Sequence, residues 1–184
     1  MSDFMVFLKR FVSHPGRVGS VIPSSRFLCR QMTRQIPWSK ANVMIELGPG
    51  TGVFTQAILT RKREDTQFFV VERDPEFREI LRERFPGLII CDEATQLTSY
   101  LTQMNLPKAD VIISGLPFAV FPPTLRNSIL ENVTESLVPG GMFVTFQYSL
   151  QMKAELQQRF DQVDISFTPL NVPPAFVYTC FKGK

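Results

Sequence analysis

The stretch Glu46-Leu47-Gly48-Pro49-Gly50-Thr51-Gly52 constrains the fold of this chain more than any other feature. It follows the apolar run 43–45 directly and opens a helical stretch near 53–63. Glycines at three alternate positions let the backbone turn sharply and approach a ligand with no Cβ in the way. A strand, a glycine turn and a helix form the first unit of an open α/β sheet, whose ligands bind beyond the carboxyl ends of the strands. The rest of the chain repeats that rhythm. Strands are predicted at 43–45, 68–71, 88–90, 111–113 and 142–146, and nearly all their residues are apolar, as in central parallel strands covered on both faces. Helical stretches near 53–63, 75–85, 95–104 and 123–137 alternate with them, which is the βαβ signature. The runs 164–167 and 176–181 flank a proline-rich connection and predict a terminal hairpin-like pair.

The amino-terminal region has a different pattern. Phe4, Phe7, Leu8 and Phe11 follow i, i+3, i+4, i+7 and predict a short amphipathic helix over 3–12, with Lys9 and Arg10 off the apolar stripe. Ser13-His14-Pro15-Gly16 ends it in a turn, and 17–23 reads as extended. Ser24 or Ser25 can cap a second helix running to about Gln35. The expected division is an N-terminal helical segment, 1–36, and an α/β domain, 37–184. Two roles are open to the first helix: packing its Phe-rich face on the domain, or lying on an anionic membrane surface as a peripheral element.

Composition narrows the classes of partner. A net charge of +3 over 184 residues, without a dense basic patch, does not suggest a nucleic-acid binder. Cys29, Cys91 and Cys180 are distant from one another and odd in number, so neither a disulfide framework nor a metal site is expected. No apolar run approaches the ~20 residues of a membrane span, and Lys9 and Arg10 interrupt any secretory signal. A cytoplasmic location is expected on these grounds, and the oligomeric state is left open.

The glycine spacing separates cofactor classes. A dinucleotide fingerprint needs a third glycine where this chain has Val53, and no Gly-Lys-Ser/Thr follows to make a P-loop. Gly48-x-Gly50-x-Gly52 preceded by Glu46 resembles the turn of class I S-adenosylmethionine-dependent methyltransferases. Glu72, about twenty residues on and closing the second strand, can accept both hydrogen bonds of a ribose diol, with Arg73 beside it. The competing reading is a solvated charge at a strand end. In such enzymes the loop after the third strand offers an acid to the adenine amine. Asp92-Glu93-Ala94 occupies that place here, with Glu93 the aligned acid and Asp92 the alternative if the register slips by one; either can also be a helix cap. Ser114-Gly115-Leu116-Pro117-Phe118 follows the fourth strand, where acceptor and methyl group should meet. Adenine-N6 methyltransferases carry Asn or Asp where this chain has Gly115, which counts against a nucleobase acceptor.

Taken with Pro15-x-Arg17-x-Gly19-x-x-x-Pro23-Ser24-Ser25, Glu72-Arg-Asp-Pro75 and Pro139-Gly-Gly141, these motifs resemble the small bacterial phospholipid N-methyltransferases from about Phe7 to the C-terminus. They more remotely resemble the rRNA adenine dimethyltransferases. The resemblance implies a Rossmann-like, mostly parallel seven-stranded sheet with an antiparallel last strand. It also implies S-adenosyl-L-methionine as cofactor and the amino headgroup of a phospholipid such as phosphatidylethanolamine as acceptor. An RNA adenine or small-molecule acceptor is the alternative, and a non-catalytic cofactor-binding protein a second. An ammonium of lysine-like pKa, ~10, must lose a proton before it can attack. Tyr148, ending the fifth strand, and His14, the only histidine, are the polar candidates for that proton, with water as the alternative. Positioning alone can contribute ~7–11 kcal/mol to such a displacement.

Overall fold

A computed structural model of the chain describes residues 23–183, with side chains from Arg26 onward. The predicted helix over 3–12, His14, Arg17 and the extended 17–22 lie outside the described residues.

The elements in order are α1 (Pro23–Met32), β1 (Val43–Leu47), α2 (Val53–Arg61), β2 (Gln67–Val71), α3 (Pro75–Arg84), β3 (Ile89–Cys91), α4 (Leu97–Gln103) and β4 (Ala109–Ser114). A 3-10 turn (Phe118–Val120), α5 (Pro123–Ser136), β5 (Leu137–Gln147), α6 (Lys153–Arg159), β6 (Gln162–Thr168) and β7 (Ala175–Phe181) complete them. They build one seven-stranded sheet in the order β3-β2-β1-β4-β5-β7-β6. The strands from β1 to β5 pair in parallel, and β7 runs antiparallel to both β5 and β6. The strand order reverses between β1 and β4, so a crevice opens there at the carboxyl ends of the strands.

Burial on both faces explains the uniformly apolar strands. One core packs Leu28 and Met32 of α1, Ile58 of α2 and Leu81 of α3 onto the sheet. The other packs Leu97 and Leu101 of α4, Ile129, Leu130 and Val133 of α5, and Leu156 of α6 onto the opposite face. Every residue of β1 is buried, Glu46 included. Local chemistry sets several boundaries. Asp74 caps α3 by accepting the amide of Glu76 at 2.9 Å, and Pro75 supplies a helical φ at the first position.

Several sequence-based boundaries shift. β3 spans Ile89–Cys91, one residue later than expected, because Phe69, Val70 and Val71 pair with Ile89, Ile90 and Cys91 and leave Leu88 outside the ladder. The predicted helix 123–137 stops at Ser136, where Leu137 enters β5 with no intervening loop. Ser24 and Ser25 fall inside the first turn of α1 instead of preceding it. The sequence reading did not anticipate α6: it has seven residues, and Leu156 is its one buried side chain, too little for a periodic signal. The terminal pair is present, and β7 joins it to the main sheet through β5.

Candidate functional site

Three glycines make the turn after β1, and each has a left-handed backbone: φ is +64° at Gly48, +55° at Gly50 and +85° at Gly52. Packing excludes side chains as well. A Cβ on Gly48 would lie 2.7 Å from Leu116 Cδ2, and one on Gly52 would run into the ring of Phe85. The turn is therefore held between the loop after β4 on one side and α3 on the other. Arg84 also ties it to α3, donating to the Thr51 carbonyl at 2.6 Å.

Two carboxylates support this turn from below. Glu46 is fully buried, and its Oε2 accepts a 2.6 Å bond from the Thr55 hydroxyl, while Oε1 has no hydrogen-bond partner. Burial pushes its carboxyl up to about 8, against the opposing effect of the Thr55 bond. An orphaned buried oxygen at a glycine turn fits a ligand that brings a hydrogen-bond donor, because a buried acceptor without a partner is costly. Glu72, at the end of β2, accepts from the Gly50 amide at 3.0 Å with Oε2 and from the Asp74 amide at 2.9 Å with Oε1. Burial raises its pKa, and those two amides oppose the rise. Each oxygen keeps a second lone pair, so the same carboxylate can brace the turn and accept from a diol. Arg73 beside it is exposed.

Beyond β3, Asp92 is exposed and accepts from the Tyr100 hydroxyl at 2.8 Å. Glu93 is half-buried and folds back on Thr95, accepting from its hydroxyl at 3.1 Å. Ala94 packs its methyl group against the core next to them. Asp92 thus faces solvent, and Glu93 is turned partly inward, both beyond the outer strand β3.

The loop after β4 starts at Ser114, a fully buried side chain whose oxygen accepts the Leu116 amide at 3.1 Å. Gly115 has no room for a side chain: its Cβ would sit 2.7 Å from the Gly48 carbonyl oxygen. The lack of an amide-bearing side chain here follows from close contact between the two loops. Sequence reasoning missed Gln147. From the end of β5 its Nε2 donates to the Leu116 carbonyl at 3.0 Å, and its Oε1 accepts from the Ala119 amide at 3.3 Å. A buried glutamine ending an apolar strand was the signal that could have found it.

Between these loops lies a cleft of about 300 Å³, bordered by Gly115, Pro117, Val120, Phe146, Tyr148 and Ser149 among others. Burial raises the pKa of Tyr148, so its phenol stays protonated at neutral pH. Its ring meets Phe146 edge-on at 5.7 Å, and Phe146 in turn meets Phe54 of α2 at 6.1 Å. The structure therefore brings Glu46, Glu72, the glycine turn, the loop 114–117 and Tyr148 to one crevice. Among the described residues, no cluster of three or more His, Cys, Asp or Glu side chains could hold a metal ion. Likewise, no described helix is long and apolar enough to cross a membrane.

No family model matches the chain. Its sequence is 38% identical to an ornithine lipid N-methyltransferase of Singulisphaera acidiphila, over 98% of this chain and 96% of that protein. It is 28% identical to the ribosomal RNA small subunit methyltransferase A of Chlorobium phaeobacteroides, over 76% of this chain but 49% of that protein. In fold it resembles the N-methyltransferase NodS of Bradyrhizobium japonicum in complex with S-adenosyl-L-homocysteine, with a TM-score of 0.73, 13% identity and 100% of both chains covered.

Proposed function

Because the chain belongs to the S-adenosylmethionine-dependent lipid N-methyltransferases, the family of the Singulisphaera enzyme, we propose that it methylates the amino nitrogen of a membrane-lipid headgroup. Ornithine lipid is the first candidate acceptor and phosphatidylethanolamine the second. The observation that carries this reading is 38% identity maintained across nearly the whole of both proteins. The site supports it. The cleft beside Gly115 is bordered largely by apolar and aromatic groups, and its lining has no charged side chain to compete for an ammonium.

When bound, S-adenosylmethionine supplies an electrophilic methyl group on a sulfonium. In our reading this chain's residues do the following. Glu46, through Oε1, receives the cofactor's amino group, and the backbone of Gly48, Gly50, Thr51 and Gly52 lets the cofactor approach closely. Glu72 accepts from the ribose diol, with Arg73 bordering the site. Glu93 faces the adenine amine, Asp92 being the alternative, and Ala94 forms the floor beside it. Ser114, Gly115, Leu116 and Pro117 shape the acceptor side, and Gln147 holds that loop in place. Tyr148, kept protonated by burial, offers its oxygen lone pair to an N–H of the incoming amine instead of acting as a strong base. The proton lost before attack goes to water or to His14. The segment 1–36 is assigned to the membrane-facing side of the molecule. Leu28, Met32 and Ile36 are buried against the sheet, so within 1–36 these three side chains do not serve that role.

The test is incubation with methyl-labelled S-adenosylmethionine and vesicles containing ornithine lipid or phosphatidylethanolamine, with ribosomal RNA as a parallel substrate. Label in the organic phase is expected. Label confined to RNA or to an aqueous product would contradict the proposal.

A further inference from the structure

The charges of this chain are distributed unevenly along its sheet. Residues 111–125, 136–152 and 165–181 contain no Asp, Glu, Lys or Arg, although 20% of the whole chain is charged. They supply β4 beyond Asp110, β5 and β7, with the loops at their cleft end. Burial accounts for the strands, but not for the loops, which are open to solvent. Val120 of the acceptor loop, Leu150 after β5, and Leu170 and Val172 between β6 and β7 are four of the exposed large apolar side chains, with Val172 66% accessible.

The strand register gathers these loops at one end of the molecule. Gln147 pairs with Phe176, and Thr168 pairs with Ala175, so the 169–174 connection lies beside the segment that follows β5. Both segments are braced from within. Asn171 is buried and donates to the Pro173 carbonyl at 2.6 Å, so its neighbours Leu170 and Val172 turn outward. Tyr178 donates its hydroxyl to the Ser149 carbonyl at 3.0 Å and fixes the base of the loop that carries Leu150. The cleft opens between the loop after β4 and the segment after β5, beside which the 169–174 connection lies.

We propose that this charge-free rim is a docking surface for the lipid bilayer, with Leu150, Leu170 and Val172 entering the interfacial region and the cleft mouth facing the headgroups. The inference rests on the lipid-acceptor reading above. An aqueous protein partner would meet a rim with no ionic group for orientation. A bilayer interface needs none: apolar side chains enter it through the hydrophobic effect, and the lack of charge removes the desolvation cost. A patch of this kind bordering a ligand cleft marks an interaction site rather than scattered surface apolarity. Docking through it is insensitive to salt, in contrast to attraction by Lys9, Arg10 and Arg17.

The experiment uses the full chain, the double variant Leu170→Asp/Val172→Asp, and Leu150→Asp as an independent variant from the second loop. Sedimentation with vesicles of phosphatidylcholine and phosphatidylglycerol is measured at low and high salt. Methylation of a water-soluble short-chain lipid amine is measured in parallel. The double variant should lose about tenfold in vesicle affinity at high salt, with the soluble acceptor methylated at the wild-type rate. Undiminished sedimentation of both variants at high salt would overturn the proposal. A polarity-sensitive dye on Val172→Cys should report an apolar environment only after vesicles are added. An apolar signal before addition, unchanged afterwards, would identify residues 1–22 or a second copy as the occupant and also overturn it. Absence of any lipid methylation by the wild-type chain would defeat the functional reading alone, because sedimentation still tests the docking surface.

Discussion

The two halves of the crevice are built from opposite materials. On the β1–β3 side, the buried side chains of Glu46 and Glu72 flank a turn of three left-handed glycines, Glu72 bonding the Gly50 amide. On the β4–β7 side the cleft lining carries no charged side chain, and position is maintained by a buried glutamine, aromatic edges and close backbone contact. The first half suits a fixed cationic, diol-bearing ligand that is the same in every turnover. The second suits an amine on an apolar body that arrives from a lipid phase. On the proposed function, cofactor recognition would be local and polar, whereas acceptor recognition would lie in shape and in the absence of charge.

The strongest way to break the first half is Gly52→Val. Its φ of +85° and the Phe85 ring both oppose a side chain. Cofactor affinity is expected to fall at least about 100-fold, ~3 kcal/mol, by calorimetry, with acceptor-loop chemistry untouched.

Glu46 adds a pH signature to the same half. Its pKa is raised from 4.5 to about 8 by burial, so the folded chain holds a proton that the unfolded chain releases. Stability from this group is full below pH 4.5 and is lost as pH rises through about 8, by on the order of a few kcal/mol. Urea midpoints of the cofactor-free chain should follow that decline, and Glu46→Gln should flatten it.

Glu72→Ala comes next. Losing a charged acceptor that braces Gly50 should weaken cofactor binding by ~1.5–3 kcal/mol, with little change in the acceptor KM. Gln147→Ala sharpens the other side. Freeing Leu116 and Ala119 should lower kcat/KM for the acceptor about tenfold while the cofactor Kd stays constant. A shift in cofactor Kd equal to the loss in kcat/KM would show that the halves are not separable.

The same division decides how much was legible in the sequence. The glycine turn, Glu72 and the strand–helix alternation could be read directly, since each is local: a φ sign, a strand end, a period. The seven-stranded sheet with its antiparallel β7 followed from resemblance, and the pairing of β7 with β5 agrees with it. Gln147 was legible only as a polar residue ending an apolar strand; its meaning depends on Leu116, 31 residues away in sequence, returning to it in space. The charge-free rim was present in the sequence as three runs, but only the pairing of Thr168 with Ala175 and Gln147 with Phe176 gathers them. Gly115 was read as a missing amine grip, and the Gly48 carbonyl supplies the physical reason for it.

The central claim is methyl transfer to a lipid amine, and tandem mass spectrometry of lipids after incubation with the enzyme and S-adenosylmethionine tests it most directly. Fragmentation should place each added methyl group on the headgroup nitrogen of ornithine lipid or phosphatidylethanolamine, and Glu72→Ala should reduce the product. Unmodified headgroups in the presence of a chain that binds the cofactor normally would contradict the account.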